Sequence, residues 1–266
     1  MASASVTISA DALTARFDAL RRDRRKALVC YLTAGHPDPA RSLALVRGVA
    51  AAGADVIELG VPFSDPLADG PVIQASSQRS LAHGMTLDRT LALAEEARVE
   101  VPLVLFTYLN PLMAAGPDVL DRAAASGVSG LLVTDLPLGA DPEREASIGA
   151  GPLAFVRLVA PTTPPARMAA IASTGRGFVY LISRLGVTGA QATLSATLPA
   201  TIETLKRMTD LPVCVGFGIS TPAQAREVGR LADGVVVGST LVAAADRSVD
   251  EAVAFVRALR AALDKA

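Results

Sequence analysis

Little in this 266-residue chain points toward nucleic acid, metal, secretion or a membrane. Lysine and arginine number 25 against 26 acidic residues, a formal net charge of −1. That balance leaves no electrostatic reason to expect nucleic acid or an anionic membrane surface as partner. No apolar run reaches the ~18 residues of a membrane span. The opening MASASVTISA lacks a basic segment followed by an apolar one, so no signal peptide is expected. The expectation is a soluble, cytoplasmic protein. Both cysteines, Cys30 and Cys214, sit in short apolar runs, LVCYL and VCVGF, which reads as strand packing rather than a disulfide or a metal site. The two histidines, His36 and His83, have no metal-ligand spacing and no nucleophile beside them, and read as loop or surface residues. The basic run Arg21-Arg22-Asp23-Arg24-Arg25-Lys26 reads as the solvated end of a helix.

What the chain does have is apolar material for a large core: 51% hydrophobic residues and a mean hydropathy of +0.40. Short runs rich in Val, Ile and Leu fall at 28–32, 56–59, 102–108, 130–134, 154–159, 178–182, 213–217 and 234–238. Bounded by Gly, Pro or Asp, they look like strands covered on both faces in a parallel sheet. Helical periodicity lies between them, for example over Arg41–Ala52, Thr86–Glu100, Pro222–Leu231 and Asp250–Asp264. Eight strand–helix pairs are the count of a closed (β/α)₈ TIM barrel. The rival, an open doubly wound sheet, usually shows a Gly-rich dinucleotide loop after its first strand, and here that strand leads into TAGHPDPA. The expected architecture is one α/β barrel domain over residues 1–266, with an extra N-terminal helix at Ser9–Arg22 and residues 1–10 as a flexible extension. The fourth helix, within 138–152, is expected to be weakened by three glycines and by a proline after its start.

One interval stands out. Between the second and third strands the spacing widens to about 46 residues, an insertion holding GVPFSDPLADGP and a helix-like VIQASSQRSLAHG. Extra chain after a barrel strand lies on the face where such folds keep their chemistry. Strand alternation over Asp55-Val56-Ile57-Glu58-Leu59-Gly60 turns Ile57 and Leu59 to the helices and Glu58 into the barrel. A carboxylate there costs several kcal/mol unless it is paired or used. As a structural residue it would be half of an ion pair, with Arg157 the main cation the strands supply. Asp69 follows in a loop restrained by Pro62, Pro66 and Pro71. Asp65 and Asp69 also fit as turn formers, since Asp before Pro or Gly is common in turns. Two carboxylates on one pocket would allow general acid–base work.

At the other end of the sequence, Gly186-Val187-Thr188-Gly189, Gly216-Phe217-Gly218 and Gly238-Ser239 follow late strands. Such turns let backbone N–H groups approach an anion, and a helix N-terminus adds a favourable dipole. They suggest a monophosphate held by neutral donors. Tyr31, Phe106, Tyr108, Leu132 and Tyr180 near other strand ends fit either a pocket for a flat apolar group or plain barrel core.

The string ELGVPFSDPLADGPVIQ (58–74) resembles the signature of the tryptophan synthase alpha subunit family. The resemblance continues through YLTAGHPD, LFTYLNPLMAAG, LLVTDLP, YLISRLGVTGA, VGFGIST and VVGST, in order along the chain. It implies a lyase that cleaves indole-3-glycerol phosphate to indole and glyceraldehyde 3-phosphate by a retro-aldol reaction. Glu58 and Asp69 would be its catalytic pair, Glu58 protonating indole C3 and Asp69 stabilising charge at the indole N–H. Thr188 would lie in a lid at about 183–197 that closes over the substrate, for which the strand-end positions of Tyr31, Phe106, Tyr108, Leu132 and Tyr180 make them the candidate binding residues. Gly189, Phe217, Gly218, Gly238 and Ser239 would bind its phosphate. Asp65 and its loop would meet a beta subunit in an alpha-beta-beta-alpha complex. Pyridoxal phosphate would belong to that partner, leaving this chain with no cofactor and no metal. The alternatives are a free-standing lyase without a beta partner, another phosphosugar barrel enzyme, and a silent activator of the beta subunit.

Overall fold

The structure is a computed structural model and describes residues 10–182, 197–216 and 218–266. Most of the extension expected at residues 1–10 and most of the lid expected at 183–197 therefore lie outside the described residues. Among the described residues nine parallel strands form one sheet: β1 (Ala27–Thr33), β2 (Val56–Gly60), β3 (Leu103–Thr107), β4 (Val128–Val133), β5 (Ala154–Phe155), β6 (Arg157–Val159), β7 (Val179–Ile182), β8 (Val213–Gly216) and β9 (Gly234–Val237). Their order is β5-β4-β3-β2-β1-β9-β8-β7-β6. β5 and β6 are two halves of the strand expected at 154–159, interrupted at Val156. The first half pairs with β4 and the second with β7, so the chain itself closes the ring. The result is the eight-stranded barrel that the strand–helix alternation predicts.

The helices are α1 (Ala10–Arg22), α2 (Pro39–Ala51), α3 (Pro71–Ala82), α4 (Leu87–Ala97), α5 (Leu109–Ala114), α6 (Val119–Ala125), α7 (Pro142–Ala150), α8 (Pro165–Ser173), α9 (Leu198–Lys206), α10 (Pro222–Gly229), α11 (Ser239–Arg247) and α12 (Val249–Leu263). Local chemistry starts several of them. Asp38, Asp141 and Thr221 each precede a proline and accept the third-turn-position amide of Arg41, Arg144 and Gln224, at 2.9, 3.1 and 3.2 Å. The proline costs nothing there because its missing N–H would have been unsatisfied anyway. That cap is why α7 forms in the Gly-rich 138–152 segment, although it spans only nine residues.

The period-two alternation separates two apolar layers. Leu28, Cys30, Ile57, Leu59, Leu105 and Leu131 face the helices. Val29, Tyr31, Val56, Val104, Phe106 and Tyr180 fill the barrel interior. α1 plugs the bottom by adding Leu13, Phe17 and Leu20 to that interior, with the Phe17 and Phe178 ring centroids 5.4 Å apart.

The plug is tied down by Asp55, one residue before β2 and fully buried. Its carboxylate accepts from Arg16 of α1, from Arg260 of α12 at 2.9 Å and from the Leu28 amide of β1 at 2.8 Å. Arg260 also donates to the Lys26 carbonyl at 2.9 Å. Removing one partner of a buried, hydrogen-bonded ion cluster costs about 3–5 kcal/mol, because the remaining charges stay buried. Asp55→Ala is therefore expected to lower Tm by roughly 10 °C. Thermal denaturation checks this, and a Tm within about 2 °C of wild type would show that the cluster is not what holds the plug.

Candidate active site

Glu58 lies on β2, level with Tyr31 of β1 and Val104 of β3. It is 1% exposed, and neither carboxyl oxygen has a hydrogen-bond partner among the described residues. Burial raises its pKa to about 8. The ion-pair alternative fails because Arg157 is engaged elsewhere: it pairs with Glu145 of α7, donates to the Thr174 hydroxyl at 3.1 Å and lies 4.5 Å above the Phe155 ring. A group whose charged form is penalised and whose polar atoms are unspent is poised for proton transfer.

Asp69 reaches the same cleft from the loop after β2. It is 9% exposed, and its Oδ2 accepts from the Tyr108 hydroxyl at 3.0 Å. Its backbone does make a turn, with its N–H donating to the Pro66 carbonyl at 3.1 Å, while Gln74 Nε2 donates to its carbonyl at 2.9 Å. The turn uses the backbone and leaves the carboxylate free to face the cleft. Burial pushes its pKa up to about 6, and the Tyr108 hydrogen bond acts in the opposite direction. Asp65 behaves otherwise: it is exposed, accepts from the Ser64 hydroxyl, and stands near Leu67, which is 93% exposed.

The cleft is open to solvent, and about 600 Å³ of free space lies within it and its mouth together. Of the residues expected there, Tyr31, Glu58, Asp69, Phe106, Tyr180, Gly218, Gly238 and Ser239 line it. The Tyr31 and Phe106 rings meet edge to face at 5.1 Å. Two strand-end glycines make room for the phenols. A Cβ on Gly60 would lie 2.1 Å from the Tyr31 hydroxyl, and one on Gly216 would lie 2.2 Å from that of Tyr180.

Two expected wall residues are not on the wall. Leu132, paired with Phe106 across β3 and β4, is fully buried among the interior apolar side chains. Tyr108 stands behind Asp69 as its hydrogen-bond donor. Thr188, Gly189 and Phe217 lie outside the described residues. His36 is also a correction: it is 4% exposed, with Nε2 3.8 Å from Asp246 of α11, whereas His83 is exposed as expected. Packing of the β1–α2 connection against α11 covers His36, and no local signal announces that.

Sequence reading missed Ile73, Ile219, Ser220, Val236 and Thr240 on the cleft wall. Ser220 and Thr240 continue the Gly-Ile-Ser and Gly-Ser strings and were within reach of the same argument. Ile73 and Val236 look like ordinary core until the barrel end is seen to be open.

The far end of the cleft is built from backbone. Gly238 caps α11 without a side-chain hydrogen bond, so the first-turn amides behind Ser239 and Thr240 receive no side-chain cap. The neighbouring α10 differs, because Gln224 Oε1 accepts the Ser220 and Thr221 amides at 2.9 and 3.2 Å. Gly218 adds a turn at φ +95°. Uncapped amides at a helix start favour an anion, and the dipole has the same sign. Among the described residues the cleft wall holds no Lys, Arg or His, and no cluster could hold a metal.

The chain is similar to tryptophan synthase alpha chains in sequence and in fold. The family model described as tryptophan synthase alpha chain matches residues 17–265. The tryptophan synthase alpha chain of Solibacter usitatus is 46% identical over 239 residues, covering 89% of this chain and 90% of that protein. The one from Synechocystis is 48% identical over 237 residues, covering 87% and 89%. Among solved structures, a chain of Mycobacterium tuberculosis tryptophan synthase superposes with a TM-score of 0.87 at 37% identity, over 94% of this chain and 97% of its own. Tryptophan synthase subunit alpha from Legionella pneumophila superposes at 0.86 and 33% identity, over 96% and 99%.

The raised pKa of Glu58 has a consequence for stability. The folded state holds this proton up to about pH 8, whereas an unfolded glutamate releases it near its ordinary value of 4.5. Its contribution is thus fully present below pH 4.5 and lost as pH rises through about 8. Glu58→Gln is expected to exceed wild type in Tm by on the order of 5 °C at pH 8.5, with the gap shrinking toward pH 5. A gap that is constant across this range would show that Glu58 does not titrate so high.

Proposed function

The chain belongs to the tryptophan synthase alpha chain family, and on that premise we propose that it carries out the alpha reaction of L-tryptophan biosynthesis. In this reaction indole-3-glycerol phosphate is split by a retro-aldol step into indole and glyceraldehyde 3-phosphate. The observation that carries the residue assignment is Glu58: a buried carboxyl on the cleft wall, unpaired among the described residues, with Asp69 on the same wall and, at the cleft's far end, a helix start that Gly238 leaves without a side-chain cap.

An enamine carbon is a poor leaving group until it is protonated. Glu58, protonated at neutral pH, delivers its proton to C3 of the indole ring, and positive charge develops on the ring nitrogen. Asp69, more readily ionised, accepts the indole N–H and stabilises that charge. The side-chain hydroxyl next to C3 then gives up its proton, to which the Glu58 carboxylate is a ready acceptor. As the C3–carbon bond breaks, its electron pair returns to the ring and the hydroxyl oxygen becomes the aldehyde. One proton is gained at C3 and one lost from the hydroxyl, so the step balances without a redox partner.

Tyr31, Phe106 and Tyr180 supply the flat apolar walls for the indole. Gly218, Gly238 and Ser239, with Thr240, take the phosphate. We assign Gly189 and Phe217 to the same end, and Thr188 to the segment over Asp69, on the resemblance of the strings that contain them. The partner is a tryptophan synthase beta subunit, and the exposed Asp65 loop is the face assigned to it. Acid–base chemistry of this kind requires no cofactor on this chain, and pyridoxal phosphate is assigned to the beta partner. Among the described residues no helix is long and apolar enough to cross a membrane.

Indole release, with and without a beta subunit, tests the proposal. Glu58→Gln is expected to lower kcat by about 10²- to 10⁴-fold with little change in substrate affinity. Release that ignores the beta subunit would favour a free-standing lyase. Beta activation without any release would leave a silent activator. A second measurement is the pH profile of kcat/KM, which should be bell-shaped because Asp69 must be ionised and Glu58 protonated. Its limbs are expected near pH 6 and pH 8, and Asp69→Asn should remove the acid limb. Retention of that limb in the variant would rule Asp69 out as its source.

A further inference from the structure

Tyr108 is legible in sequence as one more aromatic at a strand end, but the structure gives it a different place. It follows β3 directly, is 3% exposed and does not line the cleft. We infer that Tyr108 is a positioning residue, whose hydroxyl orients the Asp69 carboxylate and clamps the loop that carries it. This rests on the assignment of Asp69 under the proposed function and deepens it.

The hydrogen-bond directions follow from the groups themselves. The Ala68 amide can only donate, and it lies 3.0 Å from the Tyr108 oxygen. The phenol has one proton, so that proton goes to Asp69 Oδ2, 3.0 Å away. One hydroxyl thus accepts from the residue before the carboxylate and donates to the carboxylate. The Tyr108 ring also packs on Phe63 near the start of the same loop, with centroids 5.1 Å apart. The loop's own backbone contributes only short turns, Leu67 N–H to the Asp65 carbonyl at 2.9 Å and Asp69 N–H to the Pro66 carbonyl.

The other end of the clamp is rigid. The Tyr108 carbonyl accepts from the Thr107 hydroxyl at 3.1 Å, and the next amide, of Leu109, donates to Asp135 at 2.7 Å. Tyr108 therefore joins a barrel strand to a loop, and a carboxylate held through two contiguous bonds loses little orientation during the reaction. The ionisable groups facing Asp69 are Tyr31 on β1, Glu58 on β2, Tyr108 after β3 and Tyr180 on β7. Burial and the Asp69 charge both raise the Tyr108 pKa, so it stays a donor wherever Asp69 titrates. No described cation competes with Tyr108 on the cleft wall.

The test uses the full chain assembled with a beta subunit, as wild type, Tyr108→Phe and Tyr108→Leu. In Tyr108→Phe the Asp69 carboxyl, followed by carbon-13 NMR, is expected to titrate higher by about half to one pH unit, the size of one lost hydrogen bond to a carboxylate. The acid limb of kcat/KM should move with it, and kcat should fall about tenfold with KM nearly unchanged. Tyr108→Leu, which also loses the ring contact with Phe63, should additionally raise KM. An Asp69 resonance that does not move in Tyr108→Phe overturns the proposal. A resonance that moves while the acid limb stays in place overturns the catalytic assignment of Asp69, and the positioning role with it. A loss of activity equal at all pH values, with a lowered Tm, would show Tyr108 to be packing alone.

Discussion

Burying the Glu58 carboxyl between Tyr31 and Val104, with no cation or donor on it among the described residues, sets a constraint that much of the molecule answers to. The barrel has to tolerate a group that prefers water, and burial answers by keeping it protonated well above the ordinary carboxylate range. That tolerance depends on the cation being kept away. Arg157, on the same set of strands, is held by Glu145 and Thr174 and by the Phe155 ring. Strand alternation sets this: Arg157 shares the helix-facing phase of Phe155 and Val159, while Val156 and Leu158 face the interior with Glu58.

The two ends of the barrel divide the work. At the bottom, Asp55 gathers Arg16, Arg260 and the Leu28 amide, and the apolar face of α1 fills the ring. At the top, among the described residues, the Glu58 oxygens have no hydrogen-bond partner and Gly238 gives α11 no side-chain cap. Paired groups hold shape, and unspent ones are available to a ligand. The contrast recurs between adjacent helices. α10 closes its own N-terminus with the Thr221 and Gln224 capping box, while α11 begins on a glycine without a side-chain cap. A helix start without a side-chain cap is the arrangement that favours an anion.

Asp69 stands between these extremes. It is carried by a proline-restrained loop, partly paired by Tyr108 and titrates lower than Glu58. Two carboxyls on one cleft are thus pushed apart in acidity by burial and by one hydrogen bond, which lets one act as acid while the other stays charged.

Periodicity and composition alone determined the barrel, because strand alternation and helix starts are local: Glu58 points inward from its parity with Val56, and the prolines after Asp38, Asp141 and Thr221 each open a helix. The family string from 58 to 74 likewise marked Glu58 and Asp69 without coordinates. What only tertiary structure decided are relations between residues far apart in sequence. Parity cannot show that Leu132 is sealed while Phe106 beside it faces the cleft, since both have the same inward phase. Nor can it show that His36 is covered by α11, that Tyr108 serves Asp69 across 39 positions, or that Arg157 is already engaged. Those outcomes depend on how strands stagger and which side chains they bring within about 3 Å, and a hydrogen bond or its absence exists only at that range.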